Sequence, residues 1–309
     1  MVKKIPLTIV TAVLNEEKIL PSFLRHAKSL ADEVIVVIDY RNEDNSQKIA
    51  RKMKCKVLVD RGSSKGIVFN NKNWGIDSPK NDWVMVVDAD ERLDDTLQKE
   101  VVSIVLGKHR SKATIYQTGF INYEFGKLFD RSDQQQKPFV RLFRKGSFKY
   151  QTQKTAEGFG IQTQSLAKGD ELGIILLKIP VVRSWYLNKN SNVETLKGHL
   201  LHFSHPTIIE FLRKIDHYSS REAKIIFYNN PDVKTWKIVI KLFFDPAKEF
   251  IYKYIIWKFY REGVHGFIVS IIYAFYRFLI DAKYYRLAYR QSHLKEILQL
   301  KKKYHLKYL

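Results

Sequence analysis

A single cysteine, Cys55, leaves this chain of 309 residues without an internal disulfide, which fits a reducing compartment. Acids are also scarce: 32 Asp and Glu stand against 53 Lys and Arg, a formal net charge of +21. That imbalance favours polyanionic partners, whether nucleotides, nucleic acid or an anionic membrane surface. Internal repeats and low-complexity linkers are missing, which excludes a solenoid or an array. Disorder is excluded by a hydrophobic share of 45% beside 28% charged residues. The opening Met1-Val2-Lys3-Lys4, ahead of an apolar stretch, imitates a signal peptide. Pro6, Thr8 and Thr11 interrupt that stretch, and it ends in Asn15-Glu16-Glu17 with no small-residue cleavage site. It reads as a strand, and the protein as cytoplasmic.

What is present is organised around Trp83-Val84-Met85-Val86-Val87-Asp88-Ala89-Asp90-Glu91-Arg92. Five apolar residues in a row predict a strand buried on both faces. Extended backbone repeats its side-chain direction every two residues, so Asp88 and Asp90 are expected on one side and Ala89 on the other. Two carboxylates at the carboxyl end of a central strand sit where open α/β sheets bind ligands. Such oxygen donors suit Mg²⁺ or Mn²⁺ shared with a substrate's phosphates. The alternative is a solvated acidic turn leading into a helix capped by Asp94 or Asp95.

Upstream, residues 7–14 read as a first strand, followed by a helix that opens at Asn15 and carries Ile19, Leu20, Phe23, Leu24 and Ala27 on one face. Strands at 34–38 and 56–59 alternate with helices at 44–54 and 67–76, and a basic loop, Arg61 to Gly66, precedes the last. This alternation predicts an α/β fold with a mostly parallel sheet and right-handed crossovers. Asp39 and Asp88 both end strands, so they should share one crevice. Short β-prone pieces follow at 113–121, 139–143 and 173–182, and Thr207-Ile208-Ile209-Glu210 is a capping box. The expected organisation is a catalytic domain over residues 1–232 and a helical, basic extension over 233–309.

The ordered set Asn15-Glu16-Glu17, Asp39 with Asp44, Lys72-Asn73 and Asp88-Ala89-Asp90-Glu91 resembles the family-2 glycosyltransferases. Within them it is similar to the bacterial lipopolysaccharide-core glucosyltransferase-like group. Arg141-Leu142-Phe143-Arg144, Leu201-His202-Phe203-Ser204 and residues 263–283 extend the resemblance over nearly the whole chain. It implies a glycosyltransferase A fold (Rossmann-like) and a nucleotide-sugar donor, UDP-linked by preference. Carried over by position, Leu14, Asn15, Glu16 and Asn73 line the donor pocket, and Asp39 accepts from uracil or ribose. Asp88, Ala89 and Asp90 form the acidic motif at the donor, with Asp88 and Asp90 on Mg²⁺ or Mn²⁺. The resemblance also implies that Glu157 is the general base of an inverting transfer and that His202 completes the metal site. The pattern is departed from at Val13, Tyr40, Glu43-Asp44 and Ala156, which bears on selectivity for base and sugar.

From the residues themselves, Arg61 or Lys65 would assist the departing diphosphate, with a solvated loop cation as the alternative. Arg141 would clamp a phosphate or anionic acceptor in bidentate fashion, or else solubilise an edge strand. The resemblance implies an acceptor that is a glycan or lipid-linked, in cell-envelope polysaccharide or lipopolysaccharide synthesis. Rival readings are a nucleotidyltransferase, weakened by the lack of a Gly-rich phosphate loop, and a nucleic-acid-binding protein, weakened by the lack of a recognition motif. No nucleic acid is expected as partner.

The last quarter, from Val233, carries 16 Lys and Arg against five acids. Its least polar part, residues 263–280, is marginal for a membrane span and contains His265 and Arg277. A basic amphipathic helix pair lying in an anionic membrane surface is expected, with capping of the core or dimerisation as alternatives.

Overall fold

The fold is described from a computed structural model, which covers residues 4–64, 67–133, 138–150, 152–154, 160–162 and 193–305. It divides into two compact units. The first comprises Met1–Asn122, Gln135–Ile174 and Ile179–Phe203; the second comprises Tyr123–Gln134, Ile175–Lys178 and Ser204–Leu309.

The first unit is an α/β layer structure. Strand β1 (Ile5–Val13) is followed by helix α1 (Leu20–Leu30), β2 (Ala31–Ile38), α2 (Ser46–Lys52), β3 (Lys56–Val59), α3 (Val68–Ile76) and β4 (Trp83–Val86). Then come β5 (Glu91–Leu93), α4 (Asp95–Val105), β6 (Ile115–Glu124), β7 (Lys127–Leu128), β8 (Phe139–Arg144), a small pair β9 (Thr152–Lys154) and β10 (Gly160–Gln162), and β11 (Val193–His205). The main sheet runs β3-β2-β1-β4-β8-β6-β11-β5, with β7 paired to β6. The first four of these strands are mutually parallel, and β8 runs antiparallel to both β4 and β6.

The alternating pleat explains why β4 is apolar throughout and β1 is apolar on both faces, broken only by Pro6, Thr8 and Thr11. Ile9, Val13, Trp83, Met85 and Val87 feed the core on one face of the sheet; Val10, Val84 and Val86 feed the core on the other. Each such side chain, fully removed from water, contributes about 1.5–3 kcal/mol. The chain winds from β1 out to β3, then returns to place β4 on the other side of β1. The carboxyl ends of β1 and β4 therefore flank the switch point where open α/β sheets bind ligands.

Two local expectations are corrected. The strand before the acidic motif ends at Val86, and Asp88 to Glu91 form a turn in which the Glu91 amide donates to the Asp88 carbonyl at 2.9 Å. Turn geometry, not strand alternation, sets the direction of Asp88 and Asp90. Likewise Asn15 is not the cap of α1, which begins at Leu20 without a side-chain cap. Asn15 instead adopts a left-handed φ of 57°, a conformation that Asn tolerates better than most residues. Its amide donates to Asn42 Oδ1 at 2.9 Å, and its own Oδ1 accepts from the Glu43 amide at 2.8 Å. The Glu16 amide donates to Ser46 Oγ, and the Glu17 amide to Asp44. The loops after β1 and β2 are thereby laced together. Asp94 does cap α4, accepting from the Leu97 amide at 2.7 Å.

The second unit is helical: α5 (Ile208–Asn229), α6 (Thr235–Ile251), a π-helical turn (Tyr252–Ile256), a 3₁₀ turn (Phe259–Glu262), α7 (Val264–Ser292) and α8 (Leu294–Tyr304). Thr207 caps α5, with the Glu210 amide donating to its hydroxyl.

Within the first unit, Gly198 lies where a Cβ would meet the Leu97 backbone nitrogen at 2.1 Å. Gly198→Ala is expected to destabilise the protein by about 3 kcal/mol, because backbone and not a flexible tip stands in the way. Urea unfolding with an unchanged m-value checks it.

Candidate active site

Four elements of the first unit converge on the turn after β4. Helix α3 supplies Asn71 and Lys72, both buried in a helix that also carries Asn70 and Asn73. Strand β8 supplies Arg141, β6 supplies Asn122, and β11 supplies His202. Backbone pairing fixes the turn itself: the Phe203 amide donates to the Asp90 carbonyl at 2.8 Å, and His202 stands opposite Glu91 in the β5–β11 register.

At the centre is a set of buried charges. Lys72 Nζ lies 2.6 Å from Asp88 Oδ1 and donates to Oδ2 at 2.9 Å. Arg141 Nη2 donates to Glu91 Oε1 at 2.6 Å, while Glu91 Oε2 accepts from the Asp88 amide at 2.9 Å. Burial is the largest influence on Asp88 and opposes its charge, yet Lys72 and Arg141 together hold its carboxyl below the usual value. Lys72 is likewise kept charged against burial by Asp88. For Glu91 burial wins, and its pKa is raised despite Arg141. Arg141 Nη1 is buried, makes no hydrogen bond and lies 3.9 Å from Asp88 Oδ2. An unspent guanidinium donor beside a ligand crevice suits a phosphate oxygen.

Asp90 is arranged differently. His202 Nε2 lies 3.3 Å from Asp90 Oδ2, and His202 Nδ1 lies 2.9 Å from Asn122 Oδ1. With Nδ1–H donating to the Asn122 oxygen, the Nε2 lone pair of a neutral ring faces the carboxylate. Such a pair needs a cation between its members, either a proton or a metal ion. The His202 pKa is raised: burial opposes the charge, but the bond to Asp90 and the fields of Asp90, Glu91 and Asp88 outweigh it. A ring nitrogen held by a neighbouring oxygen is also how metal-binding His is oriented. Among the described residues no three His, Cys, Asp or Glu gather as a complete metal cage. A carboxylate and an imidazole that leave the remaining positions to phosphate and water still fit Mg²⁺ or Mn²⁺.

The other expected donor residues are placed as follows. Asp39 ends β2, is buried, and accepts from Arg41 Nε at 2.8 Å, Arg41 Nη2 at 3.0 Å and Asn71 Nδ2 at 3.0 Å. Leu14 and Asn15 are exposed at the end of β1, with Glu16 beside them and half-buried. The Asn73 amide is spent on the Tyr150 backbone, donating to its carbonyl at 2.7 Å and accepting from its amide at 2.9 Å. Tyr150 in turn stacks on Phe69 at 4.7 Å. Ala89 is buried in the core. Arg61 is exposed; Lys65 and Glu157 lie outside the described residues. Sequence reasoning assigned no role to Lys72, Glu91, Asn122, Asn71 or Arg41. The available signal was the place of Lys72 and Glu91 within the motifs that carry the family resemblance.

Residues 8–168 match the family model described as Glycosyl transferase family 2. An uncharacterized glycosyltransferase of Rickettsia typhi is 27% identical over 289 residues, covering 91% of this chain and 86% of that protein. The lipopolysaccharide core biosynthesis glycosyltransferase LpsC of Rhizobium meliloti is 23% identical over 294 residues, covering 93% and 94%. Among solved structures, S. aureus TarS 1-349 in complex with UDP-GlcNAc aligns with a TM-score of 0.43 at 12% identity, covering 94% of this chain and 92% of that one.

Truncating one partner of a buried ion pair strands the other. Asp88 is half-buried and still faces Arg141, so Lys72→Met is expected to cost about 1–3 kcal/mol, less than for a fully buried pair, and adding Asp88→Asn should recover most of the loss. Equilibrium denaturation of the two variants reads this directly; equal stability of Lys72→Met and wild type would refute it.

Proposed function

The chain belongs to glycosyl transferase family 2, and from that premise we propose a metal-dependent, inverting transfer of sugar from a UDP-linked donor to a lipid-linked or glycan acceptor in cell-envelope or lipopolysaccharide synthesis. Family membership selects the glycosyltransferase reading over the nucleotidyltransferase and nucleic-acid-binding ones. The observation that carries the metal-dependent donor site is the facing pair Asp90 and His202, its ring turned by Asn122, beside the unspent Arg141 donor. The acceptor class is supported by the printed name of the Rhizobium relative. Enzyme and donor would meet in the cytoplasm, at the inner face of the membrane that carries such an acceptor.

In this reading Asp90 and His202 would hold the Mg²⁺ or Mn²⁺, which when bound neutralises the diphosphate. Lys72 and Arg141 contribute fixed positive charge at the same place, buried where it is weakly screened. Lys65, from the loop before α3, would add to it. Asp39 offers its carboxylate to the uracil imide or a ribose hydroxyl once Arg41 swings aside, and Leu14, Asn15 and Glu16 form the rim. Asn73 acts through Tyr150, whose position it fixes. Glu157 takes the proton of the attacking acceptor hydroxyl. The new bond forms at the anomeric carbon while the bond to the diphosphate oxygen breaks, with its electron pair leaving on the phosphate.

Asp90→Ala is expected to lower kcat/KM by at least about a thousandfold, equivalent to about 4 kcal/mol of transition-state stabilisation. The fold should survive, since Asp90 fills no core. His202→Ala should weaken Mn²⁺-supported donor binding by calorimetry. Glu157→Gln should remove turnover but keep donor affinity. Full activity in a chelator would sink the metal-dependent reading, and unaltered kcat in Glu157→Gln would sink the assignment of the base.

A further inference from the structure

Helices α6 and α7 in the second unit pack Ile238, Val269, Ile272 and Ile280 inward and yet expose apolar stripes as well. On α7, every exposed residue from Val264 to Phe278 is apolar: Val264, Phe267, Ile271, Phe275 and Phe278, spaced by three or four residues along one stripe. Its inner side holds Ser270, Arg277 and Asp281, all buried. Arg277 donates to Asp281 at 3.0 and 3.1 Å and reaches Asp245 on α6 at 2.8 Å. On α6 the exposed stripe is Trp236, Ile240, Phe243, Phe244 and Ile251, with Phe243 74% exposed, and only Ile238 is buried. A helix pair in water turns its apolar stripe inward. A patch of this size on a soluble surface marks a docking site.

Charge identifies the occupant. Between Val233 and Ser292 there are four acids, and each faces inward or is paired. Asp245 and Asp281 hold Arg277, Glu249 faces Lys253, and Glu262 accepts the Arg131 and Ser132 amides. Lys234, Lys237, Lys241, Lys248 and Arg261 are exposed. Apolar ridges flanked by outward bases, with acids withdrawn, are complementary to an anionic lipid surface.

Length and composition alone would also let α7 cross a membrane, with a mean hydropathy of 1.4 in its best window. Its charges oppose this: a span would carry Arg277 and Asp281, paired with each other and with Asp245 on α6, into hydrocarbon. The turn before the helix is tied to the segment after β7: Glu262 holds the Arg131 and Ser132 amides at 2.7 and 2.9 Å, and Lys258 pairs with Asp133 at 2.7 Å. Gly266 packs so tightly on that turn that a Cβ would meet the Phe259 carbonyl at 1.8 Å. We propose that α6 and α7 lie side by side in the plane of an anionic bilayer, their outward apolar stripes sunk below the headgroups. This deepens the lipid-linked acceptor reading above and rests on it for its purpose.

The test uses the full chain with vesicles of phosphatidylcholine alone or mixed equally with phosphatidylglycerol. The protein is expected to float with the mixed vesicles, and lipid brominated on its acyl chains should quench a fluorescence component that Trp236→Phe removes. F243S/F244S should lower partitioning by at least roughly tenfold while thermal unfolding and donor hydrolysis stay as in wild type. Equal flotation of that variant, no flotation of wild type, or indifference to phosphatidylglycerol overturns the proposal. Retention through alkaline carbonate shows a span and also overturns it. A lipid-free dimer that F243S/F244S dissociates would show that a second copy covers the stripes instead. Flotation without any donor hydrolysis would fail the glycosyl-transfer reading and leave the docking surface standing.

Discussion

The buried pair of Lys72 and Asp88 is the interaction on which the site depends. The Lys72 ammonium is buried, and without a partner it would cost several kcal/mol, so it depends on the half-buried Asp88 beside it. Their contact binds α3 to the turn after β4, and Arg141 with Glu91 binds β8 to the same turn. Three elements that are distant in sequence are thereby held at one point by charges, not by apolar packing. Asp88 is committed to this framework, whereas Asp90 is left to the imidazole on β11. The two aspartates of one short motif thus do different work.

The same division of labour runs through the molecule. Apolar side chains on both faces of β1 and β4 make the sheet rigid, and polar chains gather only where its strands end. The helical unit has apolar clusters of its own, but it also buries a guanidinium beside two carboxylates and leaves phenylalanines outside. One chain therefore contains two solvation regimes: a core built for water in the first unit, and in the second a surface that water suits poorly.

The sequence made the parallel strands legible because runs such as Val34 to Ile38 and Trp83 to Val87 have no other stable use than a doubly covered strand. Asp94 and Thr207 announced their helices through local capping chemistry, which needs no tertiary context. Asp39, Asp88 and Asp90 were legible as strand-end acids. Their partners were not. Asn122 and Glu91 join His202, to which only the family resemblance pointed, where β11 pairs antiparallel with β5 and lies beside β6, and such register is a long-range property that short windows do not encode. The turn at Asp88 was misread as strand because the tight bond from the Glu91 amide depends on the Glu91 side chain reaching back to Asp88. Asn15 was misread as a cap because its side chain serves a loop nearly thirty residues away.

That clasp around Asn15 governs how the rim of the crevice breathes. The loop after β1 and the loop after β2 exchange bonds through Asn15 and Asn42, Glu16 and Ser46, and Glu17 and Asp44. Neither loop opens alone, since parting one pair misplaces the next. The rim consequently behaves as a single hinged flap, and hydrogen exchange at the amides of residues 15, 16, 17 and 43 would occur as one event with one free energy.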